Sequence, residues 1–157
     1  MMRPTRHQMF ADFARTAALR SICGRLIQVG CIITNMSGTN IKSIGYNGPA
    51  RGKSHSCGGS PDSTIKCSCI HAEANALVKA PYGPRLRLYT TLSPCPSCAD
   101  LILNSTVSEV VFLEEYRNPE GIRTLLQGGI SVFGLGDDGE LYEVDRDFFL
   151  QSGGSNG

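Results

Sequence analysis

The sequence predicts an α/β/α sandwich, three layers built around a five-stranded mixed sheet. Two observations carry this. Short apolar strand patterns alternate with helical ones from residue 72 to residue 133. A strand–helix–strand connection within one sheet is normally a right-handed parallel crossover, so the last three strands should run parallel, with the helices between them on one side. Before them, two strands are separated only by the turn residues Asn35-Met36-Ser37-Gly38-Thr39-Asn40 and form a hairpin. The order along the chain is α-β-β-α-β-α-β-α-β, in one domain spanning residues 1–151.

The elements follow in order. Thr5 can cap a helix running to about Arg20. Phe10, Phe13, Ala14 and Ala17 recur at helical spacing and make one apolar face; Arg6, Arg15 and Arg20 read as solvated charges rather than a phosphate-binding face. Leu26 to Thr34 is apolar on both faces, as a strand buried on both sides is, and Cys31 within it reads as a small buried hydrophobe. Ile41 to Tyr46 is the return strand. Ala72 to Ala80 reads as a helix stopped by Pro81, and Arg85 to Leu92 as a strand with Leu86, Leu88 and Thr90 on one face. A helix from Pro96 to Asn104 follows, with Ala99, Ile102 and Leu103 as its apolar stripe, then a strand from Val107 to Leu113. The polar loop 114–119 lies at the carboxyl end of that strand, where open α/β sheets place their ligands. Glu120 to Gln127 is a short helix stopped by Gly128-Gly129, and Ile130 to Phe133 is the fifth strand. Glu140 to Val144 reads as an added edge strand, and 152–157 as a flexible tail.

Composition excludes several classes. No apolar run approaches the ~20 residues that a membrane span requires, and no signal-peptide pattern opens the chain, so a cytoplasmic protein is expected. Seven cysteines, an odd number clustered at metal-ligand spacings, fit a reducing compartment and metal ligation better than a disulfide framework. A formal net charge of +1, an aromatic content of 7% and the absence of Trp give no basic, base-stacking surface. A small substrate is therefore expected rather than nucleic acid.

Two short motifs organise the chemistry: His71-Ala72-Glu73 and Pro94-Cys95-Pro96-Ser97-Cys98. His71, Cys95 and Cys98 supply three ligands of the types zinc prefers, and three protein ligands leave the fourth position open, which is the catalytic arrangement. Pro94 and Pro96 favour an extended approach and then a helix start, which places Cys98 one turn from Cys95. Glu73, two residues from His71, is too close to share the ion comfortably and is left to handle protons. The H-x-E…P-C-x-x-C order is an already known signature of zinc deaminases that act on nucleobases. Either fragment alone reads as readily as a structural half-site or a redox pair.

Ala50 to Ser68 is rich in Gly, Ser, Pro and Cys and shows no periodicity. A loop this long is usually functional or held by something other than a core. Cys23, His55, Cys57, Cys67 and Cys69 have ligand chemistry, and four of the five could hold a second, structural zinc. The alternative is an unstructured loop with uncoordinated thiols.

On these motifs the chain resembles the deoxycytidylate (dCMP) deaminases of the cytidine deaminase-like superfamily, particularly the short phage and bacterial forms. The resemblance spans about residues 20–135. It rests on Val29-Gly30-Cys31-Ile32-Ile33, Gly45-Tyr46-Asn47-Gly48, His71-Ala72-Glu73-Ala74-Asn75-Ala76, Thr91 to Ala99, and Tyr116-Arg117 followed by the segment from Leu125 to Ile130. It implies hydrolysis of dCMP to dUMP with release of ammonia, supplying dUMP for dTMP synthesis. It also implies Asn47 near the sugar, the backbone of Ala72 with Ser93 near the base, and Tyr116 and Arg25 toward the sugar-phosphate end. It further implies a homo-oligomer, often a hexamer, activation by dCTP and inhibition by dTTP, a structural zinc in the long loop, and, for a phage protein, the host cytoplasm. The chain departs from the family pattern at Cys67-Ser68-Cys69 and at Gly48-Pro49-Ala50. The rival readings are a tRNA adenosine or guanine deaminase of the same superfamily, and a non-catalytic zinc-stabilised binding protein. Glu73 counts against the last, since a purely structural site has no need of it.

Overall fold

The structure is a computed structural model and describes residues 2–23, 27–55 and 67–151. Its elements are α1 (Arg6–Ala18), β1 (Gly30–Asn35), β2 (Ile41–Tyr46), α2 (Ala72–Leu77), β3 (Leu86–Leu92), α3 (Pro96–Leu103), β4 (Val107–Glu114), α4 (Glu120–Gln127), β5 (Ser131–Leu135), β6 (Leu141–Glu143) and α5 (Arg146–Gln151). One sheet runs in the order β2-β1-β3-β4-β5-β6. β3, β4 and β5 are parallel, as the crossover rule requires. β1 is antiparallel to both β2 and β3, and β6 is antiparallel to β5. Among the described residues the sheet therefore has six strands, not five, because Leu141–Glu143 pairs with Phe133–Leu135 along the far edge.

Strand alternation divides the apolar residues between two layers. Cys31, Ile33, Leu86, Leu88, Val110 and Phe112 face α2, α3, α4 and α5. Ile32, Tyr89 and Val111 face α1, which covers the other side with Phe10, Ala14 and Ala17. This is the expected three-layer sandwich. Phe13 departs from expectation: it is 44% exposed, because Phe10, Ala14 and Ala17 already fill the contact with the sheet.

Caps and turns explain where elements begin and end. Thr5 and Gln8 form a capping box at the start of α1, and the Thr5 hydroxyl also donates to the Gly139 carbonyl at 2.8 Å. The hairpin turn needs Gly38, whose φ of 65° lies in the left-handed region. β1 begins at Gly30 rather than at Leu26, which lies outside the described residues. The segment 27–29 pairs with Asn47 instead of joining the ladder: the Val29 N–H donates to Asn47 Oδ1 at 2.7 Å, and Asn47 Nδ2 donates to the Ile27 carbonyl at 3.2 Å. α2 ends at Leu77, short of Ala80. Lys79 and Ala80 donate three residues back, to Ala76 and Leu77, and Pro81 keeps the residue before it out of the helical region.

α2 lies very close to β2, and Gly45 makes that possible. A Cβ at Gly45 would overlap the Ala72 carbonyl oxygen and come within 2.6 Å of the Ala76 nitrogen. Ser43 Oγ donates to the Ala76 carbonyl at 2.7 Å, fixing the same helix further along. Gly45→Ala is expected to destabilise the protein by about 1–3 kcal/mol, the range for overpacking a tight interface. Urea denaturation of the variant against the parent checks this; an unchanged midpoint would show that α2 can retreat freely.

Candidate metal and proton-transfer site

The ends of β3, β4 and β2 meet the starts of α2 and α3, and the two motifs come together there. His71 is the N-cap residue of α2, with extended backbone and no capping bond from its side chain, so its ring points elsewhere. Cys95 is the N-cap residue of α3, Pro96 takes the first helical position, and Cys98 falls in the first turn. His71 Nδ1 lies 3.4 Å from Cys95 Sγ and 3.5 Å from Cys98 Sγ. Donors bonded to one tetrahedral zinc at ordinary Zn–N and Zn–S lengths lie about 3.5 Å apart, so this group fits the ion. Three donors would hold it and leave the fourth position open.

The electrostatics of the group also suit a cation. The hydrogen bond from Cys98 and the neighbouring His71 ring hold the Cys95 thiol down to about 4. The same contact with Cys95, together with burial, pushes the Cys98 thiol up. One sulfur is thus held as thiolate near neutral pH, the form that binds metal.

Glu73, in the first turn of α2, is not among the clustered donors. It is 4% exposed, and burial raises its carboxyl above the usual range, partly offset by its own backbone N–H and by His71. It interacts with Cys98, and its charge also reaches the buried Cys31 thiol, which burial and then that charge push up. A buried carboxylate next to a metal position is poised to move protons rather than to bind water at the surface.

The remaining residues singled out in the sequence divide. Ala72 is fully buried at the start of α2. Ser93 is buried between β3 and the loop after β4: its N–H donates to the Glu114 carbonyl at 2.8 Å, and its Oγ accepts the Tyr116 N–H at 2.7 Å. Ser93 and Tyr116 are therefore brought together, with the Arg117 guanidinium 5.9 Å from the centre of the Tyr116 ring. Asn47 is 2% exposed and bridges the backbone of 27–29 with both ends of its amide. Arg25 lies outside the described residues. Arg6, Arg15 and Arg20 do not converge: they reach the Ser37 carbonyl, Asp12 and the Tyr46 ring respectively.

Sequence reading missed Asn75, whose Nδ2 donates to the Tyr46 carbonyl at 2.9 Å and ties α2 to the end of β2. Its place in the quoted His71-to-Ala76 segment was the available signal.

A second group assembles from Cys23, Cys67 and Cys69, whose sulfur atoms all lie within 4.8 Å of one another. Cys23 and Cys67 approach to 3.5 Å. His55 stands outside this group, but its Nε2 is buried and has no hydrogen-bond partner among the described residues. Cys57 lies outside the described residues.

Comparison with known proteins agrees with this geometry. Residues 4–114 match the family model for the cytidine and deoxycytidylate deaminase zinc-binding region. The deoxycytidylate deaminase of Saccharomyces cerevisiae is 34% identical over 144 residues, covering 84% of this chain. The chain spans only 45% of the length of that relative. The deoxycytidylate deaminase of Mycobacterium phage D29 is 30% identical over 73% of this chain and 99% of its own length. Among solved structures, the dCMP deaminase of cyanophage S-TIM5, in complex with dCMP and dUMP, superimposes with a TM-score of 0.74 at 31% identity, covering 85% of this chain and 99% of that one. With a zinc-binding family model over most of its length and a ligand group that fits the ion, the chain belongs to the deoxycytidylate deaminase family.

Proposed function

We propose that the protein is a zinc-dependent deaminase that hydrolyses dCMP to dUMP and ammonia, and so provides dUMP for dTMP synthesis. The observation that carries this is the buried Glu73 beside three convergent donors, His71, Cys95 and Cys98. A zinc held by those donors would supply Lewis acidity, making a bound water acidic enough to give up a proton near neutral pH. Glu73 accepts a proton from the attacking water and delivers it to N3 of cytosine as the new C–O bond forms at C4. Glu73 then passes the second proton to the exocyclic amine, the C4–N bond breaks, and ammonia leaves, so one carboxylate serves as base and then as acid. Ala72 at the start of α2 and Ser93 flank the base in this reading. Tyr116, tied to Ser93, would serve the sugar-phosphate end, and Asn47 the sugar side; the resemblance adds Arg25, which lies outside the described residues.

Ammonia release tests it, with dCMP, CMP, deoxycytidine, dCTP and a short tRNA hairpin offered in parallel to zinc-loaded protein. Turnover of dCMP above the others is expected. Silence on every free cytosine nucleotide, with zinc present, would overturn the substrate and point to a polymer or a purine. The resemblance extends the proposal to a cytoplasmic homo-oligomer, hexameric by preference, activated by dCTP and inhibited by dTTP. Sedimentation and the same assay with each triphosphate test those additions.

We also infer a structural zinc on Cys23, Cys67 and Cys69, with His55 or Cys57 as the fourth ligand. The three clustered sulfurs support it, as does the buried His55 Nε2, which has no hydrogen-bond partner among the described residues. Two zinc ions per chain are expected by elemental analysis. Cys67→Ser should retain one and lower Tm by roughly 5–10 °C, the shift for a loss of about 2–3 kcal/mol in a chain of this size. A parent with one zinc per chain would sink the second site.

A further inference from the structure

We propose that Gly121 is a positioning residue for the deamination, because its missing side chain lets α4 brace the Pro94–Cys95 turn that carries a zinc ligand. Gly121 sits in the first turn of α4 and is buried. A Cβ there would overlap the Pro94 carbonyl oxygen and lie 2.8 Å from the Pro94 carbonyl carbon and 3.0 Å from that of Cys95. These are backbone atoms, so no side-chain rotation relieves the clash. Glycine is the least favourable residue inside a helix after proline, and at a φ that any residue could adopt its use here answers to the contact rather than to the backbone.

Both sides of the contact are anchored. On the site side, Ser93 is held to Glu114 and Tyr116, and Cys95 begins α3, its carbonyl accepting the Ala99 N–H at 2.9 Å. On the other side, Ile122, Leu125 and Leu126 are buried, and the buried Arg123 donates through Nε to the Phe149 carbonyl of α5 at 2.6 Å. α4 cannot withdraw without leaving the core. A methyl at Gly121 therefore has to displace the Pro94–Cys95 carbonyls, and with them the Cys95 sulfur that lies 3.4 Å from His71 Nδ1. Gly128, at the other end of α4, offers a contrast: the three atoms nearest an added Cβ there all belong to the Leu103 side chain, which can turn aside.

The inference rests on the zinc deaminase reading, and the parent's zinc content and turnover decide that reading separately. The test compares Gly121→Ala with Gly128→Ala by chelator competition for zinc and by the thiolate charge-transfer and d–d bands of the Co(II)-substituted proteins. Gly121→Ala is expected to bind zinc about 10–100-fold more weakly, as loss of an outer support does, to show shifted Co(II) bands, and to lose about 10²-fold in kcat, the effect of an ångström-scale misplacement. Gly128→Ala is expected to match the parent in both metal readouts. A folded Gly121→Ala with the parent's zinc affinity and spectrum would overturn the proposal, as would an equal loss in Gly128→Ala. Should Gly121→Ala fail to fold, Arg123→Met loosens the seat of α4 without adding bulk. A several-fold loss of zinc affinity in that variant supports the proposal, and parent affinity overturns it.

Discussion

Glu73→Gln is expected to keep its zinc and to lose dCMP turnover by about 10²–10⁴-fold, the usual share of general acid–base catalysis. Gln fills the same space and still offers a hydrogen-bonding oxygen, but it cannot take a proton from water and return it to the leaving amine. The three donors His71, Cys95 and Cys98 are untouched, so zinc per chain should not change. Stability should move in the opposite direction from activity. Glu73 is almost wholly buried and burial raises its carboxyl. In zinc-free protein the native state thus disfavours the ionised group, and the stability present below the ordinary carboxylate pKa is lost as pH rises from it through the raised native value. The neutral amide removes that cost, so zinc-free Glu73→Gln should melt no lower than the zinc-free parent at pH 7. Elemental analysis, ammonia release and calorimetry on one preparation check all three. Turnover within tenfold of the parent, with zinc retained, would show that another group moves the protons.

Local chemistry was readable from the sequence and distant contact was not. β2 and α4 fall where the residue pattern puts them, because turn residues before β2 and glycines after α4 mark their limits. The candidate metal ligands were legible for the same reason: His71 and the Cys95–Cys98 pair each sit at a helix start that their neighbours dictate. α5 was not foreseen. It has six residues and Phe148 on it is 65% exposed, so it lacks a clear apolar period; its place depends on Arg123 reaching the Phe149 carbonyl from 26 residues away. The shortened β1 has a similar origin, since Asn47 takes over the backbone partners of 27–29. Phe13 shows the converse error: helical spacing defined a face wider than the sheet could cover. At the site, Cys31 was rightly read as buried, but nothing in its neighbours announces that the charge of Glu73 reaches it.

Cys98→Ala is expected to lose the site zinc and, with it, all measurable turnover. Among the described residues, these three donors are the ones that cluster at that position. Removing one should weaken zinc by more than the about 10–100-fold that loss of a mere outer-shell partner costs. Cys98 is 2% exposed and Cys95 depends on its hydrogen bond, so the variant also unsettles the remaining thiolate. The consequence for stability follows by linkage. A ligand that binds only the folded chain raises Tm, and a variant that cannot bind it forfeits that increment. Zinc-loaded Cys98→Ala should therefore melt close to a parent stripped of the same ion. Elemental analysis separates this variant from Cys67→Ser. Each should retain one zinc per chain, but the ion left in Cys98→Ala would be the one proposed for Cys23, Cys67 and Cys69, where no buried carboxylate is clustered with it among the described residues, and so should support no deamination. Retention of zinc at the parent's full stoichiometry in Cys98→Ala would remove Cys98 from the ligand set and leave the chemistry to be reassigned.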